Sequence, residues 1–256
     1  MLALGDFTVL ADHYRKYRVG YHDDVLSAIL GLFTADPSEL DVVDVGAGTG
    51  IWTRLMAGRG CRCTAVEPND SMRAAGGSSN GEMTIEWLQG SAEKVPLPPG
   101  CADWVTMASS FHWAQFEIAL MEFHRLLRPG GWFTCLWNPR AVEKHEITLD
   151  IEQKIENLVP EMQRKSSGRS QFTSELMTRL PSTGHFQSPI YMEAQFTVDM
   201  SREQYLGVWD SVNDIRAQAG ESRWQKIREY ISQRTENVAN IPCVYWTRAW
   251  SCQRIG

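Results

Sequence analysis

The sequence lacks the cysteine and histidine patterns of a metal site. Its six cysteines, at positions 61, 63, 101, 135, 243 and 252, include no Cys-x-x-Cys pair, and its histidines form no cluster. A zinc site is therefore disfavoured, and we expect no metal. Cys61 and Cys63 point to the same side of a predicted strand, so we expect reduced, buried thiols in a cytoplasmic protein.

The sequence also lacks an excess of positive charge and a long apolar run. It has 25 Lys and Arg against 31 Asp and Glu, a formal net charge of −6. This balance gives no general attraction to nucleic acid or to an anionic membrane, so neither is expected as a partner. No signal peptide is apparent, and the longest helix predicted near the N-terminus, Val25 to Phe33, is too short to cross a bilayer. A soluble globular protein of 256 residues is expected.

The most informative stretch joins a predicted buried strand to a glycine-rich turn. Val42, Val43 and Val45 suit a central strand that is packed on both faces. Glycines at positions 46, 48 and 50 then allow a sharp turn and the close approach of a ligand. A helix is predicted from Ile51 to Ala57. A strand, a glycine turn and a helix N-terminus are typical of a nucleotide-type binding corner.

Two common versions of this corner do not fit. A dinucleotide fingerprint needs its third glycine where Ile51 stands, and a phosphate-binding P-loop needs a lysine that is missing here. Asp44, just before the turn, is expected beside the ligand, where its carboxylate would repel a pyrophosphate and attract a cation. These features favour a ligand that carries an ammonium and a sulfonium.

The run Asp44-Val45-Gly46-Ala47-Gly48-Thr49-Gly50 resembles motif I of the class I S-adenosylmethionine (SAM)-dependent methyltransferases. Arg125 to Gly131 (Arg-Leu-Leu-Arg-Pro-Gly-Gly) matches a second, architectural motif of this family. The sequence is most similar to the type-11 group and to small-molecule methyltransferases like trans-aconitate methyltransferase. The resemblance is specific from about residue 7 to residue 140. It implies an α/β Rossmann-like fold with a seven-stranded, mostly parallel sheet, helices on both faces and a helical cap over the acceptor site.

The resemblance also implies which residues bind SAM and release S-adenosylhomocysteine. Glu67 lies 21 positions after Gly46, near the spacing at which an acidic residue reaches ribose hydroxyls. The loop from Gly90 to Leu97 is similar to the family's adenine loop, with Ser91 in place of the usual acid, so adenine recognition would depend more on the backbone of Ala92. The complete predicted set is Asp44, Gly46, Ala47, Gly48, Gly50, Glu67, Pro68, Met72, Ser91, Ala92, Glu93 and Ser109.

Two segments are predicted to form the acceptor site. Residues 14–22 resemble a Tyr-x-x-x-Arg-Pro-x-Tyr-Pro segment that folds over the donor, with Val19 and His22 where prolines are usual; an ordinary surface helix is the alternative. Residues 109–113 resemble a strand-end segment of the subgroup, which makes His112 the candidate base or orienting group; a structural histidine is equally weighted. The predicted acceptor contacts are Tyr14, Arg18, Tyr21, His22, Trp113, Trp137 and Trp209.

The positive charge of the N-terminal segment indicates which kind of acceptor the protein binds. Arg15, Lys16, Arg18 and His22 favour an anionic acceptor. We therefore expect methyl transfer to an oxygen of a small acidic or phenolic metabolite. The alternatives are N- or C-methylation of a small molecule, SAM binding without transfer, a dehydrogenase, and a nucleic-acid methyltransferase. The segment Trp137-Asn138-Pro139-Arg140 resembles an adenine-N6 methyltransferase motif, but it follows the wrong strand and lacks the aromatic clamp, so this interpretation is rejected.

The predicted organisation is one structural domain in three parts. Residues 1–35 form a lid and the first helix, residues 36–140 form the SAM-binding core, and residues 141–256 add cap helices and the last two strands. A flexible loop is predicted at residues 166–170. The strands after the first are predicted at residues 61–66, 83–89, 102–108, 132–137, 190–198 and 242–250, and a short helix is predicted at residues 174–180.

Overall fold

The structure is a computed structural model that describes residues 5–164 and 171–256. The loop predicted at residues 166–170 and the first four residues of the predicted lid lie outside the described residues. The strands are β1 (Asp41–Val45), β2 (Arg62–Val66), β3 (Ile85–Leu88), β4 (Ala102–Ala108), β5 (Leu127–Trp137), β6 (Ile190–Ser201) and β7 (Asn240–Gln253). The α-helices are α1 (Ala11–Tyr17), α2 (Asp23–Leu30), α3 (Ile51–Gly58), α4 (Asp70–Gly77), α5 (Phe116–Leu126), α6 (Glu146–Leu158), α7 (Gln171–Ser174), α8 (Leu176–Ser182), α9 (Arg202–Asp210) and α10 (Asn213–Arg234).

The strands form one seven-stranded sheet in the order β3-β2-β1-β4-β5-β7-β6. Strands β1 to β5 pair with one another in parallel, and β7 is antiparallel to both β5 and β6. This confirms the expected Rossmann-like sheet with an antiparallel final strand. The chain leaves β1 toward β2 on one side and later returns to β4 on the other. The crevice at the carboxyl ends of β1 and β4 is therefore the switch point at which ligands bind in such sheets.

Helices cover both faces of the sheet because the side chains of its central strands alternate between two hydrophobic layers. Val42 and Trp104 pack in the layer that contains α2 and α3. Val43 and Val105 pack in the opposite layer with α5. Cys61 and Cys63 are buried in the first layer, as predicted, with free thiols.

The cap is built on a ribbon of β6 and β7 that extends beyond the rest of the sheet. Strand β7 pairs with β5 only from Arg248 to Gln253, whereas it pairs with β6 from Asn240 to Ser251. The overhanging half of the ribbon belongs to a separate hydrophobic cluster with α6, α9 and α10. The cap thus has its own core, centred on Trp209 and Trp224.

Some boundaries differ from the sequence prediction. The stretch from Ser201 to Ile215 has the apolar spacing of one helix but forms parts of two, because α9 ends at Asp210 and α10 begins at Asn213. Strand β5 begins at Leu127, not at Trp132, and a bulge separates its two parts. The helix predicted at residues 174–180 is α8, and it packs on the sheet layer of α5 through Leu176 and Leu180 instead of in the cap.

The N-terminal segment is docked on the cap. Helix α1 packs against α9, where a Cβ added to Gly207 would lie 2.2 Å from the Tyr17 ring, so only glycine permits this approach. Lys16 Nζ donates to Glu203 at 2.9 Å on the surface of the same contact. None of the helices in residues 5–164 and 171–256 combines the length and the apolar character needed to cross a bilayer.

Candidate active site

The described residues form a cavity of about 220 Å³ at the switch point between β1 and β4. Most of its wall comes from the glycine turn after β1, the end of β2, the Ser91–Glu93 loop and the end of β4. Of the twelve predicted SAM-binding residues, ten line this cavity: Gly46, Ala47, Gly48, Glu67, Pro68, Met72, Ser91, Ala92, Glu93 and Ser109. The wall also includes residues that the sequence did not single out: Gly5, Phe7, Thr49, Asn69, Met107, Ser110 and Ala114.

Hydrogen bonds to the end of β2 fix the conformation of the glycine turn. The backbone N–H groups of Gly46 and Ala47 donate to the Val66 carbonyl at 2.8 and 3.1 Å. Gly46 has a φ of +65° and Gly48 a φ of +59°, in the left-handed region that L side chains rarely adopt. These two residues therefore give the cavity a floor of bare backbone.

Gly48→Ala is expected to weaken SAM binding at least about tenfold, because the added methyl group would narrow the cavity beside Met72, 3.4 Å from the Met72 Cε. The change also forces an alanine into a positive φ, which costs about 1 kcal/mol of stability. Gly100→Ala is the matched control, since Gly100 has a φ of +64° and a Cβ added there would meet open space. Calorimetric titration with SAM and thermal unfolding of both variants separate the two effects. Equal SAM affinity in the two variants would contradict a ligand resting on Gly48.

Glu67 connects the turn to the end of β2. Its Oε2 accepts the Gly48 N–H at 2.8 Å, and its Oε1 accepts the Asn69 N–H at 2.9 Å. Burial raises the pKa of Glu67, while these two hydrogen bonds act in the opposite direction. Each carboxylate oxygen retains a second lone pair. The side chain can therefore hold the turn and still accept hydrogen bonds from a diol in the cavity.

The structure corrects the position of Asp44. This residue is fully buried one layer behind the cavity wall, where its carboxylate accepts hydrogen bonds from Thr53 Oγ1 at 2.5 Å and from Thr106 Oγ1 at 2.8 Å. Burial raises the pKa of Asp44 to about 6. Asp44 therefore acts on the cavity through its charge and through α3, with no direct contact.

Gly50 is also placed behind the wall. It is the N-cap of α3 with a φ of +77°, and an added Cβ would lie 2.9 Å from Arg54 Nη1 and from the Trp87 ring. The residue is required by the packing of the turn against these two side chains. Gly50, predicted to contact SAM, does not line the cavity.

A second cavity, of about 340 Å³, opens beside the first and reaches into the cap. The two share part of their walls, formed by Phe7, Tyr14, Tyr21, Ile51, Ser109 and Trp113. Five of the predicted acceptor residues line the second cavity: Tyr14, Arg18, Tyr21, Trp113 and Trp209. The two cavities therefore meet at one boundary.

Tyr21 and Ser109 lie at that boundary. Their hydroxyl groups are 2.9 Å apart and hydrogen bonded. Ser109 has a φ of +54°, the one left-handed non-glycine residue among those described, and strained backbone of this kind is frequent at functional sites. Burial raises the pKa of Tyr21, so its phenol stays neutral and can donate a hydrogen bond. This pair is positioned to orient an acceptor atom.

His112 is not placed where a general base is needed. Its ring lies outside both cavities formed by the described residues, and its Nδ1 accepts a hydrogen bond from Trp137 Nε1 at 3.2 Å. Burial lowers the pKa of His112 to about 4, so the ring is neutral at pH 7. In a neutral imidazole whose Nδ1 accepts, the proton is on Nε2. The lone pair on Nδ1 is therefore occupied by the hydrogen bond from Trp137. This supports the interpretation of His112 as a structural residue.

His112→Gln is expected to change kcat by no more than about threefold, because the imidazole neither contacts the cavities nor holds a free lone pair. The lost contact with Trp137 should lower stability by about 1 kcal/mol. The measurement is turnover at saturating acceptor between pH 5 and 9, with thermal unfolding alongside. A hundredfold fall in kcat without unfolding would restore His112 as a catalytic base.

Two other predicted acceptor residues are also placed elsewhere. His22 caps α2, where its Nδ1 accepts the Asp24 N–H at 3.1 Å, and its ring packs on Phe196. Trp137 is buried in the sheet layer of α5, 5.8 Å from both Phe172 and Trp250 between ring centroids. Neither residue lines either of the two cavities.

The positively charged residues that line the second cavity also differ from those that the sequence predicted. Arg15 and Lys16 do not line it, and Lys16 is occupied by Glu203 and Tyr17 on the surface. The charged residues that line this cavity are Arg18, Arg140, Glu152, Glu156 and Arg164. Sequence reasoning missed the last four, because they come from the segment after β5, from α6 and from the chain just beyond α6, whose positions depend on the cap.

The strand order and the cavity at the β1–β4 switch point are those of the Rossmann-like class I methyltransferase fold. The family model described as "Methyltransferase domain" matches residues 43–135 of this chain. This agrees with the class that the motifs predicted. The finer likeness to trans-aconitate methyltransferases stays a prediction.

Similar proteins cover the same core. The chain is 40% identical over 96 residues to the ubiquinone/menaquinone biosynthesis C-methyltransferase UbiE of Rubrivivax gelatinosus, across 37% of this chain and 38% of that protein. It is 32% identical over 109 residues to a malonyl-[acyl-carrier protein] O-methyltransferase of Serratia marcescens, across 42% of each. The matches thus span about two fifths of these relatives. A putative type II methyltransferase from Anaeromyxobacter dehalogenans has the same fold, with a TM-score of 0.66, 16% identity and coverage of 93% of this chain and 98% of that one.

Proposed function

We propose that this protein transfers a methyl group from SAM to a small molecule, at an oxygen of an acidic or phenolic acceptor. The observation that carries the proposal is the pair of adjoining cavities, one formed around the glycine turn and Glu67, the other closed by the N-terminal segment and the cap. An arrangement that holds two reactants next to each other provides the proximity that can lower a barrier by roughly 7–11 kcal/mol.

The residues of the first cavity suit SAM. The bare backbone at Gly46 and Gly48 leaves room for the amino-acid portion, and the Glu67 carboxylate offers acceptors for the two ribose hydroxyls. Met72 and the Ser91–Glu93 loop would enclose the adenine. The buried charge of Asp44 favours a cationic ligand. SAM supplies an electrophilic methyl group on its sulfonium.

The residues at the boundary would orient the acceptor. A new bond forms between the acceptor oxygen and the methyl carbon as the bond from that carbon to sulfur breaks, leaving a neutral thioether. A carboxylate oxygen enters this reaction already deprotonated, whereas a phenol must lose its proton. The Tyr21 hydroxyl, fixed by Ser109, would position the oxygen by a hydrogen bond. Because His112 lines neither cavity, the proposal favours an acceptor that is ionised before it binds.

A second candidate, N-methylation of an amine, is supported by Glu152 and Glu156, whose carboxylates line the acceptor cavity. Glu152 is, however, already bound to Arg164. The names of the relatives include both a C- and an O-methyltransferase, so they do not select the acceptor atom.

An acceptor screen with methyl-labelled SAM tests the proposal. Purified protein is incubated with small carboxylic acids, phenols and amines, and products are identified by mass. The proposal predicts a labelled methyl ester or methyl ether and an equal amount of S-adenosylhomocysteine. Labelled amine products alone would select N-methylation, and SAM binding without transfer to any acceptor would indicate a SAM-binding protein.

A further inference from the structure

The Arg140 side chain lies on the wall of the acceptor cavity, and three aromatic rings surround its guanidinium group. The guanidinium carbon lies 4.6 Å from the centre of the Trp209 ring, 5.6 Å from that of Tyr205 and 5.8 Å from that of Tyr245. Trp209 and Tyr245 line the same cavity. Such rings stabilise the cation through its faces and leave its N–H edge available for a planar, bidentate partner.

The enclosure contains buried polar groups that have no hydrogen-bond partner among the described residues. Arg140 forms no ion pair with a carboxylate of residues 5–164 and 171–256, and its Nε is buried without a hydrogen-bond partner there. Trp209 Nε1 and Tyr245 Oη are also buried without a hydrogen-bond partner in this part of the chain. Buried polar groups are nearly always paired in folded proteins. Three unpaired groups side by side, two of which can only donate, indicate a missing ligand that accepts hydrogen bonds.

The other arginines of the cavity already have partners. Arg18 donates from Nε to Ser211 Oγ at 2.9 Å and from Nη2 to the Ser211 carbonyl at 3.2 Å. Arg164 is hydrogen bonded to Glu152, and its Nε lies 3.6 Å from the buried Asp214. Arg18 and Arg164 are therefore held by hydrogen bonds of their own, whereas the described residues provide no carboxylate partner for Arg140.

The position of Arg140 follows from the β7 register. Strand β5 ends at Trp137, opposite Arg248, and the chain continues alongside β7 in the same register as far as Arg140, opposite Tyr245. Ser109 follows Ala108, which pairs with Leu136, so Ser109 lies level with Trp137. At about 3.3 Å per residue, the Arg140 backbone is roughly 10 Å beyond Ser109 along the strand. Arg140 lines the acceptor cavity but does not line the cavity of the glycine turn.

We propose that Arg140, enclosed by Trp209, Tyr205 and Tyr245, binds a carboxylate of the acceptor that is distinct from the oxygen that is methylated. The inference rests on the proposed function for the role of the bound molecule, and it specifies the acceptor as a molecule with two functional groups. One is an anionic anchor in the cap, and the other is a nucleophile at the Tyr21–Ser109 boundary. Specificity then depends on the separation of these two groups.

The test is a calorimetric titration of the full chain, with and without saturating S-adenosylhomocysteine. The probes are 4-hydroxybenzoate, its neutral analogue 4-hydroxybenzamide, and tyramine as the amine. We expect 4-hydroxybenzoate to bind at least tenfold more tightly than the other two, with at least a tenfold loss in Arg140→Met. Arg140→Lys, which keeps the charge but loses the planar fork, should recover only part of that loss. SAM affinity should be unchanged in both variants.

Arg202→Met is the matched control. Arg202 is another half-buried arginine with an unpaired Nε, but it lies outside both cavities and bonds Ser232. Carboxylate binding that survives in Arg140→Met, equal loss in Arg202→Met, failure of 4-hydroxybenzoate to bind, or preference for tyramine would each overturn the assignment. If the carboxylate binds through Arg140 while SAM and S-adenosylhomocysteine do not bind, the proposed function fails and the anion site stands.

Discussion

Glu67→Ala is expected to reduce SAM affinity by at least a hundredfold. The alanine removes the predicted acceptor of the ribose hydroxyls and also releases the N–H groups of Gly48 and Asn69, which the carboxylate holds at 2.8 and 2.9 Å. Each unpaired N–H in this largely buried position costs about 1–3 kcal/mol. The turn should therefore lose its shape as well as its ligand contact, and the free energy of unfolding should fall by about 2–4 kcal/mol.

Calorimetric titration with SAM and denaturant unfolding measure the two effects. Glu67→Gln separates them, since its amide retains one acceptor oxygen for the turn but presents an N–H₂ group to the second partner. It should lie between wild type and Glu67→Ala in both measurements. Glu86→Ala, at an exposed carboxylate on β3, serves as the control. Unchanged SAM affinity in folded Glu67→Ala would refute the ribose assignment.

Asp44→Asn is expected to stabilise the protein at neutral pH and destabilise it little at low pH. Burial raises the folded-state pKa of Asp44 to about 6 from an ordinary value of 3.8. Between these values the folded state keeps a proton that the unfolded state has released, so the contribution of Asp44 to stability falls as pH rises from about 4 to 6. Above pH 6 the buried charge lowers stability by up to about 3 kcal/mol. Asparagine removes this charge; its amide oxygen can accept a hydrogen bond from one threonine hydroxyl, and its N–H₂ group can donate to the oxygen of the other.

The same substitution should weaken SAM binding by about three- to tenfold at pH 8, because the charge behind the glycine turn attracts a cationic ligand. Denaturant unfolding at pH 4.5 and pH 8, with SAM titration at pH 8, checks both effects. Asp103→Asn is a control at a partly exposed carboxylate bound to Arg128, where loss of the charge should not stabilise the protein at pH 8. A variant of Asp44 that is less stable than wild type at pH 8 would contradict the inferred protonation.

The core of the fold was predictable because its signals are local. Val42 to Val45 mark a buried strand by their composition, and the glycines that follow are needed at positive φ by the turn itself. The spacing from Gly46 to Glu67 reflects one helix between two adjacent parallel strands. Such features require only a few neighbouring residues to fix their geometry.

The acceptor side was less predictable because its geometry depends on distant contacts. His112 was a candidate for catalysis by its position after β4, but its tautomer is set by Trp137, a residue on another strand. Arg140 acquires its surroundings from Trp209 and Tyr245, which the cap brings to it. Asp44 has the expected charge, while the side chains of Thr53 and Thr106 turn its carboxylate away from the ligand. No local pattern contains this information.

The proposed mechanism depends above all on SAM binding in the cavity at the β1–β4 switch point. Calorimetric titration of the wild-type protein with SAM, S-adenosylhomocysteine and NAD tests this binding most directly. We predict saturable one-to-one binding of SAM and S-adenosylhomocysteine, lost in Glu67→Ala, and at least hundredfold weaker binding of NAD. Tight binding of NAD without binding of SAM would contradict the proposal and would restore the dehydrogenase interpretation.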